Sequence, residues 1–119
     1  MDTKRNFMKK LAIALLLGSI SSPLFAADLE CQIGAYSEIG HCELMLWGER
    51  QVPAAFSVVN TTKPIYQVIW NQPGACKNQG AYCSFTARAM MTYQAQALVL
   101  YTDGTYENLS GSLRFEDGR

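Results

Sequence analysis

The stretch YQAQALVLYTDGTYENLSGSLRFE, residues 93–116, decides the fold. Two apolar-alternating runs flank Thr102-Asp103-Gly104, and the second puts Leu109, Gly111, Leu113 and Phe115 on one face. Asn108, Ser110, Ser112, Arg114 and Glu116 fall on the other, the period of two that marks a half-buried strand. A two-residue Asp-Gly loop would set Leu113 against Gln94. A three-residue loop with Gly104 in the left-handed position instead sets Ala97 against Leu109, Ala95 against Gly111 and Tyr93 against Leu113. One register step flips every side chain, so the second loop, which keeps Gln94 and Gln96 on the polar face, is the expected one. Its weak point is Val99 opposite Glu107, where the carboxylate is expected to reach water near the turn.

Working back from this hairpin, no helical periodicity follows residue 27. Short apolar runs alternate with Gly, Pro and Asn, predicting strands at 29–33, 41–47, 53–60, 65–70 and 82–89, with 34–40 and 71–81 as connections. The run Ile65-Tyr66-Gln67-Val68-Ile69-Trp70 is the most β-prone, dense in branched and aromatic residues. Trp70, Tyr66, Phe56, Phe85 and Phe115 are expected in the core. About seven strands separated by turn signals predict an all-β domain, a sandwich of two antiparallel sheets. The Trp70 strand followed by a long hairpin resembles the immunoglobulin-like sandwich across most of the chain, at the level of fold. The chain departs from the antibody pattern, in which a Trp follows the first core cysteine by about a dozen residues; Trp70 lies much further past Cys42.

The opening of the chain reads as an export signal. Lys4, Arg5, Lys9 and Lys10 precede an uncharged apolar run at 11–18, and the small-residue stretch at 19–27 ends in Leu24-Phe25-Ala26-Ala27, suited to cleavage after Ala26 or Ala27. The apolar run is shorter than the roughly 20 residues a membrane-spanning helix needs. Residues 1–26 are therefore expected to be a cleaved signal peptide and 27–119 a single domain, periplasmic or secreted, with no membrane insertion. Removal of four basic residues and one acidic leaves six Lys+Arg against nine Asp+Glu. That mild acidity, with no basic patch, excludes nucleic acid as the expected ligand.

All four cysteines lie in the exported part. Their spacing, Cys31-x10-Cys42 and Cys76-x6-Cys83, fits neither paired zinc knuckles nor a redox Cys-x-x-Cys motif. In an oxidising compartment they are expected as disulfides. Three pairings exist, and the local ones are favoured: Cys31–Cys42 between neighbouring strands, and Cys76–Cys83 closing the loop after Trp70.

No residue pattern implies a cofactor or a metal. His41 is the one histidine, with Glu43 as its one near companion, and no Gly-x-Ser-x-Gly elbow or calcium loop is present. Asn60-Thr61-Thr62 and Asn108-Leu109-Ser110 match the glycosylation sequon, but the signal is of bacterial type and both are read as chance. The expected function is non-enzymatic: an exported protein that docks on a protein partner, such as a periplasmic inhibitor or immunity protein against a cell-wall-degrading enzyme. A carbohydrate- or envelope-binding module is the second expectation, a small secreted hydrolase the third. The candidate binding residues are Trp47, on a face with His41, Glu43 and Met45, and Lys77, in the loop that Cys76–Cys83 would close. For Trp47, core packing under the adjacent turn is the first expectation and recognition the alternative. For the Lys77 loop, the competing expectation is a plain connection tightened for stability.

Overall fold

Alternating branched and aromatic runs pair as strands because each can bury one face, and the C-terminal hairpin does so in the expected register. The computed structural model describes residues 26–77 and 79–119; the expected signal peptide at 1–26 lies outside the described residues except for Ala26. Strands β7 (Thr92–Tyr101) and β8 (Tyr106–Glu116) place Ala97 opposite Leu109, Ala95 opposite Gly111, Tyr93 opposite Leu113 and Val99 opposite Glu107. The loop has three residues: the Tyr101 N–H donates to Thr105 O at 2.9 Å and the Gly104 N–H to Tyr101 O at 3.0 Å, with Gly104 at φ 89°. Asp103 accepts the Thr105 hydroxyl at 2.6 Å and its N–H at 3.0 Å. Those two bonds, aided by Lys63, hold its carboxyl down at about 2. Glu107 does not simply face water as expected. It is half-buried, and Oε1 accepts both the Tyr101 hydroxyl at 3.0 Å and the Ala27 N–H at 2.9 Å.

Six further strands complete two sheets: β1 (Asp28–Ile33), β2 (Tyr36–Ile39), β3 (His41–Met45), β4 (Gln51–Val59), β5 (Ile65–Gln72) and β6 (Tyr82–Arg88). The orders are β2-β1-β4-β6 and β3-β8-β7-β5. Eight strands stand where about seven were expected, because residues 36–39 are a strand rather than a connection. Gly34, at φ 58°, makes a two-residue turn with Ala35 that folds this segment back on β1, with Ile33 opposite Tyr36. The chain then crosses to the other sheet at Gly40, whose N–H donates to Leu29 O at 2.8 Å while its carbonyl accepts from Ser112 at 2.9 Å. There β3 pairs parallel to β8, whereas the other ladders among the described residues are antiparallel.

The inner faces of both sheets share one core, with Ile33 and Phe56 from the first and Val99, Leu113 and Phe115 from the second all fully buried. Phe85 is half-buried and stacks on Phe56 with centroids 5.8 Å apart. Tyr66 is not in the core. A register irregularity between Ile65 and Gln67 leaves it as the unpaired residue of an outer strand, and it is 72% exposed.

Cys31 is bonded to Cys42 and Cys76 to Cys83, with α-carbons 5.9 and 5.2 Å apart. The first bond does not link neighbouring strands, as its short spacing had suggested. Because β2 folds back on β1 before the chain crosses over, Cys31 on β1 and Cys42 on β3 sit in different sheets, and the bond pins the sheets together. Two disulfides fit a non-reducing environment.

Tyr101 makes the fold alkali-sensitive. Burial, then its hydrogen bond to Glu107, push the phenol up to about 12. An unfolded tyrosine ionises near 10. Between these values the unfolded chain has released a proton that the folded chain keeps, so stability falls as pH rises through that window. Denaturant midpoints at pH 9 and pH 11 should show this loss, and Tyr101→Phe should flatten it. An equal loss in Tyr101→Phe would contradict the assignment.

Candidate docking surface

Strand β5 is an outer strand of its sheet, bonded on one side to β7 and open on the other. Its alternation points Val68 and Trp70 inward and leaves Tyr66, Gln67 and Ile69 exposed, with Ile69 40% accessible. The chain leaves β5 through a single 3-10 turn at Gly74–Cys76, passes Lys77 and returns to β6 at Tyr82. The Cys76–Cys83 bond closes this excursion. The Trp70 indole N–H donates to Gly80 O at 2.7 Å, so a core side chain ties the loop back to its strand. Gln79 laces the loop to itself and to β6, donating to Ala75 O at 2.6 Å and accepting the Ser84 N–H at 3.2 Å. Ala81 O accepts the Val58 N–H at 2.9 Å, joining the loop to β4. A segment held at so many points is ordered before it meets anything, which lowers the entropy lost on binding.

Between strand and loop runs a cleft of about 500 Å³ lined by Tyr66, Gln67, Val68, Ile69, Trp70, Lys77 and Gly80. Lys77 is exposed and has no carboxylate partner among the described residues. The apolar surface continues onto the outer face of the sheet. Ile69 lies opposite Leu98, and Tyr106, 63% exposed, lies opposite Leu100. The arrangement combines an open strand edge, exposed apolar and aromatic side chains, and one unpaired cation.

Trp47, the other candidate, lies at the far edge. It follows β3, and β3 and β5 are opposite ends of the same sheet, so the two candidate residues do not form one site. Trp47 does not pack into the core under its turn as expected: it is 75% exposed, and its ring lies over Gly118 instead. The turn is fastened by Leu46 N–H to Glu116 O at 2.8 Å and Gly48 N–H to Asp117 O at 3.1 Å. Burial pushes the Asp117 carboxyl up, but hydrogen bonds and the charge of Arg119, 2.7 Å away, outweigh it and hold the group below the usual range.

His41 has a partner that spacing did not suggest. The parallel ladder sets it beside Ser112, with Nδ1 2.6 Å from the serine oxygen, while Nε2 lies 3.2 Å from Glu43 Oε1. A serine, a histidine and a carboxylate in a row have the makings of a nucleophile and base. The Ser112 N–H, however, is committed to Gly40 O, so it is not free to stabilise an oxyanion beside that serine. The histidine and glutamate are more than half exposed on the open sheet face. An exposed row of this kind contributes little to stability. Among the described residues no group of His, Cys, Asp and Glu is arranged to hold a metal, and no helix is long and apolar enough to cross a membrane.

No protein-family profile, no curated protein and no solved structure matches the chain.

Proposed function

We propose that this is an exported, non-enzymatic binding domain that docks on a partner protein along the β5 edge and the crosslinked loop beside it. The observation that carries the reading is the β5 cleft: an unpaired strand edge walled by a loop held by Cys76–Cys83 and by the Trp70–Gly80 hydrogen bond. An extended segment of a partner can add to such an edge through main-chain hydrogen bonds, with side-chain pockets supplying specificity. Tyr66 and Ile69 offer the aromatic and apolar contacts that dominate binding energy, and Lys77 suits a carboxylate on the partner. A rigid loop beside an open edge acts by occupying a surface, which is how an inhibitor or immunity protein would block a cell-wall-degrading enzyme.

The scaffold supports the immunoglobulin-like reading. Strands β1-β4-β6 and β5-β7-β8 follow the order A-B-E and C-F-G of that sandwich. Buried Trp70, on β5, then falls on strand C of that order, where such domains keep a tryptophan. Tyr93, at the start of β7, accepts the Arg88 N–H at 2.9 Å, a corner contact of the same kind.

A second reading rests on Trp47. An indole that is three-quarters exposed suits stacking on a sugar ring, which would make the β3 edge a carbohydrate- or envelope-binding surface.

The two readings separate by mutation. With the partner isolated on the wild-type domain from periplasmic extract and then purified, Lys77→Glu and Tyr66→Ala should each weaken binding by about 2 kcal/mol with little change in Tm. Trp47→Ala should bind that partner normally. Loss of binding in Trp47→Ala alone, or retention of the domain on cell-wall polysaccharide that Trp47→Ala abolishes, would move the site to the β3 edge.

A further inference from the structure

The half-buried carboxylate of Glu107 has no Lys or Arg partner among the described residues, yet it faces inward, opposite fully buried Val99. Its Oε1 accepts from two neutral donors: the Tyr101 hydroxyl at 3.0 Å and the backbone N–H of Ala27 at 2.9 Å. Ala27 is 6% exposed, whereas Ala26 is exposed. A carboxylate kept partly out of water gains more from a charged hydrogen-bond donor than from a neutral one. The sequence Leu24-Phe25-Ala26-Ala27 offers two bonds for processing, and they differ in what they leave at this oxygen.

We propose that export processing cuts the Ala26–Ala27 bond, and that Glu107 and Tyr101 form a site for the primary ammonium so created. The inference rests on the export reading above. Hydrolysis by a signal peptidase consumes one water, breaks the Ala26 C–N bond, leaves Ala26 as the carboxylate of the released segment and makes the Ala27 nitrogen a primary amine. That amine binds a proton at neutral pH, since free α-amines titrate near 7.7–8.0. The nitrogen is already 2.9 Å from Oε1, so a neutral single-hydrogen donor becomes a charged three-hydrogen donor without any shift of β1. Cleavage after Ala27 would instead discard a buried residue and leave Glu107 with Tyr101 alone. The other titratable groups around the pair are Asp28 beside Ala27, Asp103 in the β7–β8 loop, and Lys63, whose ammonium sits 4.8 Å from the Tyr101 ring centre and 3.1 Å from Asp103.

Two measurements on the protein recovered from the periplasm test this. Intact mass and N-terminal sequencing should give Ala27 as the first residue. Asp28 would overturn the inference while leaving export standing; an uncut chain beginning at Met1 would overturn export and the inference together. The second measurement is the rate at which an amine-selective reagent labels the terminus between pH 6 and 10. Pairing with Glu107 should raise the amine's titration midpoint above 8, and Glu107→Gln should label about tenfold faster near pH 7. A midpoint of 8 or below in the wild-type protein would overturn the pairing whether or not the variant folds, as would equal labelling rates in a folded variant.

Discussion

Replacing Cys31 and Cys42 together by alanine should destabilise the domain by about 2–5 kcal/mol, the cost of losing a native crosslink in a small secreted domain. Both sulfurs are fully buried, and they join β1 to β3 across the interior. Two terms therefore add: the unfolded chain regains the freedom of an 11-residue closure, and the core loses packed sulfur where Phe56 and Leu113 sit on the partner strands opposite each cysteine. A domain of this size shifts in Tm by roughly 4–8 °C per kcal/mol, so the change is large on a melting curve. The Cys76→Ala, Cys83→Ala pair should behave otherwise. Its cysteines are as fully buried as the first pair's, but it closes a shorter span of 7 residues beside the cleft, so its stability cost should be smaller and its effect on partner binding greater. Equal stability costs with unchanged binding would remove the distinction between a crosslink of the core and a crosslink of the docking loop.

Trp70→Ala should cost about 3–5 kcal/mol, as truncation of a buried aromatic does. The residue is 7% exposed in β5 opposite Ala97, and its small cross-strand neighbour cannot fill the space the indole would leave. The substitution also leaves the Gly80 carbonyl without its donor, so the loop is released from the strand and the cleft loses a wall. Trp70→Phe separates these effects. It keeps most of the packing but removes the N–H, so it should cost about 1 kcal/mol in denaturant unfolding while loosening the segment near Gly80 in hydrogen exchange. If Trp70→Phe leaves exchange around Gly80 unchanged, the indole is packing only, and preorganisation of the loop fails as an explanation.

Much of the fold was legible because alternation fixes register wherever one face is buried. The β7–β8 pairing follows from Leu109, Leu113, Ala95 and Ala97 needing the same side. Where the pattern carried no such demand, it misled. Residues 36–39 are mostly exposed, so their pairing leaves no apolar alternation, and only Gly34 marks the turn that makes them a strand. Tyr66 sits in a run that reads as continuous core, and a bulge that no residue type announces turns it out to solvent. The neighbourhood of His41 was hidden for another reason. Ser112 is brought there by a parallel ladder between the third and last strands, a long-range pairing that local spacing does not encode. The same crossing turned a short-spaced cysteine pair into a bond between sheets. The place of Lys77 in a crosslinked loop was readable from the cysteine spacing, but the exposure of Tyr66 and Ile69 was not, since it depends on β5 being an outer strand.

The central claim is that a partner adds along β5 beside the crosslinked loop, and hydrogen exchange of the domain alone and in complex with its purified partner tests it most directly. Backbone amides of an outer strand exchange readily where they lack a partner and slow when an added strand bonds to them. The account predicts new protection at residues 65–72 and 77–81, with little change around Trp47. Protection confined to the turn at 46–50, with β5 exchanging as in the free domain, would contradict it.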